Sequence, residues 1–445
     1  IGGGLEGGLV ELLADPSLDI TYVEPDPEVI DVLRRSNPDL VPDDPRLRLE
    51  HTDGRRFMAR SNDTFDIITV ALGDPANALI NRCYTTEFFE LARQHLTSEG
   101  LISIGVTGAE NVYTDIHAAY LTSLYRTIQT TFTRVIALPG PVIRFFAGDG
   151  SYLTGDLDTL ARRCEQRCHG KVFNPLYLSY RFTPERIAQL MAALSRQTTH
   201  INRDTRPVSY LYNLAFWSSQ YSGGDFRLPV PASDLPVIPA AAASLLLIII
   251  SMLLPVHRSC SRCMVICLVL IMGCTFIGLE FLQLIAYQTR LGMVYSRLSL
   301  LLAAFMVGIS LGSRLMDQPA RRTAHPRRLS ALVLSGIGMA CLLTPGLMYI
   351  PEKGGLTWEL LFGATIVMTG CLEGLFFPLA LRLYNEVKDA SPTAAGMVYG
   401  ADLAGASAGA MIISIVVFPL LGMWQVCAGL ALLNILAAVM AARLP

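Results

Sequence analysis

From about Leu235 to its end the sequence is a succession of apolar runs of roughly 20 residues separated by short polar loops. Each run is long enough to cross a bilayer core of about 30 Å. The second half of the chain is therefore restricted to membrane-crossing helices, expected near 237–256, 264–287, 292–313, 329–350, 357–382, 395–419 and 422–442. The same runs account for a composition that is 52% hydrophobic and 16% charged, too apolar for one soluble protein. The first 234 residues read differently. They carry more acidic than basic side chains, which argues against a nucleic-acid partner and leaves room for a small cationic substrate.

The soluble half is organised around Ile1-Gly2-Gly3-Gly4-Leu5-Glu6-Gly7-Gly8, a helical run, and Ile20-Thr21-Tyr22-Val23-Glu24. A strand that runs into glycines, a helix, and a second strand ending in an acid outline the nucleoside-binding half of a doubly wound sheet. Glycines let the backbone approach a ligand, and an acid about twenty residues on can accept from both ribose hydroxyls. The spacing Gly2, Gly4, Gly7 alone is a weak signal, because a turn that only tightens a strand-helix joint looks the same. Ile1 stands where the last residue of a first core strand is expected. Such a strand needs about five residues, so the chain reads as a piece of a longer protein.

Asp26-Pro27-Glu28 opens a helix through about Arg35, with Asp as cap and Pro in the first turn. Strands are expected at Arg46 to Glu50, Phe65 to Ala71, Gly100 to Val106, Arg134 to Leu138 and Ile143 to Ala147. Between them, Tyr84 to Phe89 starts a helix with a capping-box spacing, and a long helix covers about Asn111 to Thr130. Strands alternating with helices, with acids at successive strand ends, make an open α/β sheet whose ligand lies along the carboxyl edge.

The strand ends carry four motifs in order: Gly2-Gly3-Gly4 with Glu11, Val23-Glu24, Asp53-Gly54, and Gly73-Asp74-Pro75 followed by Tyr84-Thr85-Thr86-Glu87-Phe88. Over roughly residues 1–150 this set resembles the polyamine aminopropyltransferases, the spermidine and spermine synthases, in their membrane-fused branch. The resemblance implies a Rossmann-like α/β open sheet of the class I methyltransferase type, followed here by an all-α multi-pass transmembrane domain. It implies decarboxylated S-adenosylmethionine as co-substrate, held by Gly2, Gly3, Gly4 and Glu24, with Asp53 meeting the adenine amino group. No covalently bound cofactor and no metal are expected. The chemistry of the residues agrees, since Glu24 offers two oxygens to a diol and Asp53 an acceptor to an exocyclic amine. Each also has a plainer reading, as a solvated strand end and as a turn.

The departure from the family lies where the chemistry would be. Soluble members end the fourth strand with Asp-Ser-Ser-Asp-Pro, whose first Asp takes the proton of the attacking amine. Here the segment is Ala71-Leu72-Gly73-Asp74-Pro75, leaving Asp74 as the one candidate catalytic acid. Loss of a general base typically costs about 10²- to 10⁴-fold. Arg82 and Tyr84 lie beside the expected site as substrate or loop residues; Arg82 is expected to pair with Asp74 or Glu87, or to face an anion.

Thr154 to about Trp217 is helical and polar, either a cover folded back over the site or a cap packed on the sheet. The domains are accordingly set at 1–150 for the nucleoside-binding part, 151–228 for the helical extension, 229–236 for a stiff Pro-containing linker and 237–445 for the membrane part. Most of the ten cysteines lie in or beside apolar helices, where a thiol is a small core residue. Cys164, Cys168 and His169 sit in a charged helical run with no second ligand pair and are not read as a metal site.

Within the membrane part, Gly278-Leu279-Glu280 leading to Gly292-Met293-Val294-Tyr295 is echoed by Cys371-Leu372-Glu373 leading to Gly396-Met397-Val398-Tyr399. The echoes lie three helices apart, so the two repeats have opposite orientation in the bilayer. Gly405 and Gly409 make a G-x-x-x-G spacing suited to close helix packing. Glu280, Glu373 and Asp402 fall in or near these spans, where each acid costs roughly 2.5 to 3.5 kcal/mol at mid-bilayer. They mark a cation path, or else bond to backbone or to Arg297 and only fix packing.

Arg258, Arg262, Arg314, Arg321, Arg322, Arg327, Arg328, Arg382, Lys388 and Arg443 share one side of the membrane, which the positive-inside rule makes cytoplasmic. Seven crossings would put the soluble domain outside, whereas an S-adenosyl substrate belongs to the cytoplasm. The reading adopted keeps the domain cytoplasmic, with Leu235 to Val256 lying along the surface or re-entering.

The function expected first is thus a membrane-bound, spermidine synthase-like aminopropyl transfer to a small amine or polyamine, with activity lowered or altered by Ala71. The alternatives are a polyamine or cation transporter or sensor with a regulatory nucleoside-binding domain, and an S-adenosylmethionine-dependent methyltransferase. The partners expected are the lipid bilayer and the amine, with an oligomer as a further possibility.

Overall fold

In a computed structural model of the chain, the residues described are 1–109, 112–167, 182–195, 199–221, 261–292, 295–351, 355–387 and 393–444. They fall into two compact units, Ile1–Ser233 and Asp234–Pro445.

The first unit begins with α1 (Gly8–Leu13), β1 (Ile20–Val23), α2 (Pro27–Ser36), β2 (Leu47–Glu50), α3 (Gly54–Arg60) and β3 (Phe65–Val70). It continues with α4 (Ala78–Asn81), α5 (Thr86–Gln94), β4 (Leu96–Thr107), α6 (Asp115–Gln129), β5 (Arg134–Leu138) and β6 (Val142–Gly148). β1 and β2 pair in parallel, and β3, β4, β6 and β5 form a second set in that order, with β6 antiparallel to both neighbours. Ile1 and Gly2 stand between the two sets. The Ile1 nitrogen donates to the Thr69 carbonyl at 2.8 Å, Ala71 N–H donates to the Ile1 carbonyl at 3.0 Å, and Gly2 N–H donates to the Val23 carbonyl at 3.2 Å.

Local chemistry explains the element starts. Asp26 caps α2 by accepting from Glu28 N–H, with Pro27 in the first turn and Arg34 and Arg35 at the negative end of the helix dipole. Thr85 caps α5 through Phe88 N–H. Because the residue three positions after Thr85 is Phe88, no carboxylate returns a bond, and the expected capping box is a one-sided cap. Alternation along the strands buries Ile68, Val70, Ile102, Ile104, Val106, Ile143, Phe145 and Ala147 against Phe88, Phe89, Tyr120, Leu121 and Leu124 from the helices.

The second unit holds α10 (Ser261–Leu291), α11 (Tyr295–Arg322), α12 (Pro326–Leu343), α13 (Leu356–Val387), α14 (Ala394–Ile412) and α15 (Met423–Ala442). These helices supply six segments long and apolar enough to cross a membrane; the further run expected at 237–256 lies outside the described residues. α11 packs along α13, α10 along α14, and α12 along α15. Exchanging α10–α12 for α13–α15 converts the first pairing into the second and returns the third to itself, as the internal repeat requires. Glycines permit the crossings. A Cβ on Gly312 would lie 2.0 Å from the Cys371 carbonyl oxygen, and one on Gly405 would lie 2.2 Å from that of Leu270. Arg297 pairs with Glu359, so it is not the partner of the intramembrane acids.

In the first unit, α7 (Leu157–Arg167), α8 (Pro184–Ser195) and α9 (Val208–Tyr221) follow the sheet, and residues 199–209 thread back into its core. Asn202 and Asn81 exchange amide hydrogen bonds at 3.0 and 3.2 Å, and the Asn202 carbonyl accepts from Thr86 N–H. Asp204 receives both ends of the Arg55 guanidinium, at 2.7 and 2.5 Å, and the Thr85 hydroxyl at 2.8 Å. Arg55 is 1% exposed, a burial that a charge tolerates only when paired in this bidentate way.

Glu87 closes the cluster by accepting from Asp204 N–H at 3.0 Å. Burial, and then the neighbouring Asp204 charge, push its carboxyl up to about 7 from the usual 4.5. The folded state thus binds a proton that the unfolded state releases over this interval, so the contribution of Glu87 to stability is present below about pH 4.5 and declines as pH rises to about 7. Glu87→Gln keeps an acceptor for Asp204 N–H and removes the titration. Thermal unfolding of the full chain in detergent at a series of pH values is expected to show a shallower decline for the variant. Equal slopes would place the titrating proton elsewhere.

Candidate active site

The carboxyl ends of β1 and β3 meet at the glycine loop. Gly2, Gly3, Gly4 and Gly7 have φ of 65°, 68°, 75° and 109°, all in the left-handed region. Space demands glycine as well as conformation. A Cβ on Gly3 would fall 2.5 Å from the Ala71 Cβ, and one on Gly2 would fall 2.6 Å from Leu72 Cδ2. The loop therefore lies directly on the segment that follows β3, and Ala71, an exposed residue, stands at that junction.

Glu24 follows β1 and is half-buried. Its Oε1 accepts from Asp26 N–H at 3.2 Å, and its Oε2 has no partner among the described residues. One full oxygen and part of the other are available to a diol. Asp53 is differently placed. Its Oδ1 caps α3 by accepting from Arg56 N–H at 3.0 Å, and its Oδ2 takes the Arg82 guanidinium. Arg82 thus pairs with Asp53, and the expected pairing with Asp74 or Glu87 is corrected. The cause is local: Arg82 ends α4 and its Nε donates back to the Leu79 carbonyl, which turns the guanidinium toward the start of α3.

Asp74 lies in a ring of donors. Oδ1 accepts from Thr107 N–H at 2.7 Å and from the Tyr120 hydroxyl at 3.1 Å, and Oδ2 accepts from the Trp217 indole at 3.2 Å. Three donors from β4, α6 and α9 fix the orientation of the carboxylate and leave it capacity for one further donor. Tyr84 is fully buried, and its hydroxyl donates to the Gly73 carbonyl, so it braces the 71–75 loop from beneath. Around Asp74 the rings of His117 and Phe216 stack with centroids 4.3 Å apart, and Tyr120 and Trp217 extend the aromatic wall. Burial lowers the His117 pKa, and its Nε2 meets the Thr107 carbonyl at 3.2 Å. Backbone and aromatic groups thus supply Asp74's surroundings, which a search for acids at strand ends passes over. His117 and Tyr120, three apart on one face of α6, are the signal that points to them.

Arranged in this way, the edge has a glycine cradle, a half-free carboxylate at Glu24, and an oriented carboxylate at Asp74 against aromatic rings. Such a set suits a nucleoside on one side and a cationic amine on the other. Of the cysteine and histidine group considered for metal, Cys168 and His169 lie outside the described residues. Glu280, Glu373 and Asp402 belong to the second unit.

Comparison with known proteins bears on the first unit. Residues 1–147 match the family model described as spermine/spermidine synthase domain. A polyamine aminopropyltransferase of Korarchaeum cryptofilum is 33% identical over 183 residues, covering 38% of this chain and 55% of that protein. Polyamine aminopropyltransferase 2 of Pseudomonas aeruginosa is 31% identical over 195 residues, covering 40% and 53% respectively. The chain thus spans about half the length of these relatives. A crystal structure of spermidine synthase with the transition state analogue AdoDATO aligns with a TM-score of 0.33 at 20% identity, over 43% of this chain and 66% of that one. The likeness to the spermine/spermidine synthase domain thus lies in the first unit, over residues 1–147.

Proposed function

We propose that the chain is a membrane-anchored aminopropyltransferase. An amine nitrogen attacks the propyl carbon next to the sulfonium of decarboxylated S-adenosylmethionine. The new C–N bond forms as the C–S bond breaks, the sulfonium leaves as the neutral thioether methylthioadenosine, and the amine loses a proton. The observation that carries the reading is the hydrogen-bonded seam of Ile1 and Gly2 between β1 and β3, which sets the glycine cradle and Glu24 beside the loop bearing Asp74. Glu24 takes the ribose diol and Gly2–Gly4 let the backbone close on the nucleoside. Asp53, held by Arg82, keeps an acceptor toward the adenine amine. Asp74 orients the attacking amine, and the aromatic wall accommodates the positive charge that its nitrogen gains as the C–N bond forms.

No acid stands at position 71 to receive the proton, so the reaction is slower here than with a base at that place, by a factor on the order of 10² or more. The bilayer anchor is the second unit, with six apolar helices. Its basic residues Arg262, Arg314, Arg321, Arg322, Arg327, Arg328, Arg382 and Arg443 lie at ends that alternate crossings bring to one side, which the positive-inside rule assigns to the cytoplasm. We place the first unit on that side, where the adenosyl substrate is made.

Two measurements test the reading. Methylthioadenosine should bind the purified chain, and Glu24→Gln should weaken binding on the order of a hundredfold by removing the charged acceptor of the diol; unchanged affinity removes the nucleoside assignment. S-adenosylmethionine titrated in parallel separates transfer of an aminopropyl group from transfer of a methyl group. Ala71→Asp should raise methylthioadenosine release with an amine acceptor by about tenfold or more, since Ala71 is exposed and admits the longer side chain. No gain would assign proton removal to another group.

A further inference from the structure

α10, α11, α14 and the turn that follows α14 line a half-open cavity of about 240 Å³ in the second unit. Its walls are apolar, formed mainly by Ile277, Phe281, Leu284, Leu302 and Ile413. One carboxylate enters this lining, that of Glu280. Glu280 is only 8% exposed, and no hydrogen-bond or ion-pair partner meets it among the described residues. The other polar side chain of the lining, Ser414, donates its hydroxyl to the Ala410 carbonyl. Ile413 and Ser414 belong to a π-helical turn, Ile413–Val417, an interruption of the regular helix that recurs at functional sites.

The polar groups nearby do not answer its charge. Gln283, one turn further along α10, donates to the Thr369 hydroxyl of α13 at 2.8 Å, while its own carbonyl oxygen is buried with no partner. Glu373, one turn beyond Thr369, has one oxygen buried without a partner and lies within electrostatic range of Glu280 and Asp402. Arg297 is committed to Glu359. Among the described residues, therefore, no cationic side chain pairs with these acids.

We propose that this cavity is a binding site for an alkylammonium ion, with the ammonium at Glu280 and the hydrocarbon chain along the apolar wall. An inorganic cation such as calcium needs about six to eight oxygen ligands, and the lining brings one carboxylate and one hydroxyl already engaged. An ammonium needs only a few acceptors and carries methylene groups that fill apolar space. Two sources share this chemistry, an amine from the aqueous phase and the ethanolamine headgroup of a lipid. The inference stands independently of the aminopropyl-transfer reading, because it concerns the second unit alone.

The test uses the full chain in nanodiscs of phosphatidylcholine and the hydrophobic reagent dicyclohexylcarbodiimide, which modifies carboxyl groups from within the bilayer. Modification of Glu280 is followed by mass spectrometry of the digested protein. Octylammonium chloride is expected to slow labelling of Glu280 at least tenfold, while octanol and sodium chloride at equal concentration do not. Leu302→Trp, which fills the cavity at a partly exposed position, should abolish the protection by octylammonium. Discs containing phosphatidylethanolamine distinguish the sources: protection without added amine assigns the site to the lipid headgroup, and its absence assigns it to a soluble amine.

Failure of Glu280 to react at all, or labelling indifferent to octylammonium, overturns the proposal. Equal protection by octanol would mean an apolar pocket only, and equal protection by sodium an inorganic cation site; either result overturns it too. Methylthioadenosine binding measured on the same discs keeps the outcome separate from that of the nucleoside site.

Discussion

The three backbone hydrogen bonds of Ile1 and Gly2 are the constraint on which the first unit depends. Without them β1 and β2 would be a two-stranded ribbon detached from the four strands that follow, and a pair of strands is marginal in water. With them the Gly2–Gly4 turn is set against Ala71 and Leu72 at distances that leave no room for a side chain on Gly2 or Gly3. The geometry of the edge follows from that contact: the end of β1 is held close to the loop that follows β3. Function and fold share the same few peptide groups, so the glycines answer to close packing as much as to any ligand.

A second dependence runs through charge. The acids expected along the edge have separated into different roles by virtue of their partners. Asp53 gives one oxygen to Arg82 and the other to the start of α3, with acceptor capacity left on each, and Glu24 keeps a whole oxygen open. Asp74 is aimed by a backbone amide, a phenol and an indole. Arg55 and Asp204 are a buried pair whose worth is organisational, because removing either would strand the other in the core. Charged residues that look alike along the chain thus differ in what they can still accept.

Much of this was legible from residue order. Asp26-Pro27 marked the start of α2, the apolar run 65–70 marked β3, and the glycines marked the left-handed turn beside β1, because each is a local signal with a local cause. The partner of Arg82 was not legible. It depends on where the Leu79 carbonyl holds the guanidinium, a matter of three-dimensional direction that spacing does not carry. The capping box expected at α5 failed for a simpler reason, since Phe88 occupies the place of the acid. Trp217 reaching Asp74 across 143 residues lies beyond any sequence pattern, as does the insertion of Asn202 and Asp204 into the core. In the second unit the repeat was legible from Glu280 and Glu373. The structure adds that at equivalent crossings the glycine changes helices, Gly409 facing Ile277 in one and Gly370 facing Phe305 in the other.

The threading of residues 199–209 through the first unit bears on where that unit ends. The family match stops at residue 147, yet Arg55, Thr85 and Asn81 each have a buried side-chain partner some 120 to 150 positions further along the chain, at separations of 149, 119 and 121 residues. A piece cut at the limit of recognisable similarity would open the protein's interior to water at a guanidinium and an amide. Residues 199–209 are therefore an internal strut of the first unit, as much a part of its core as the strands that precede them.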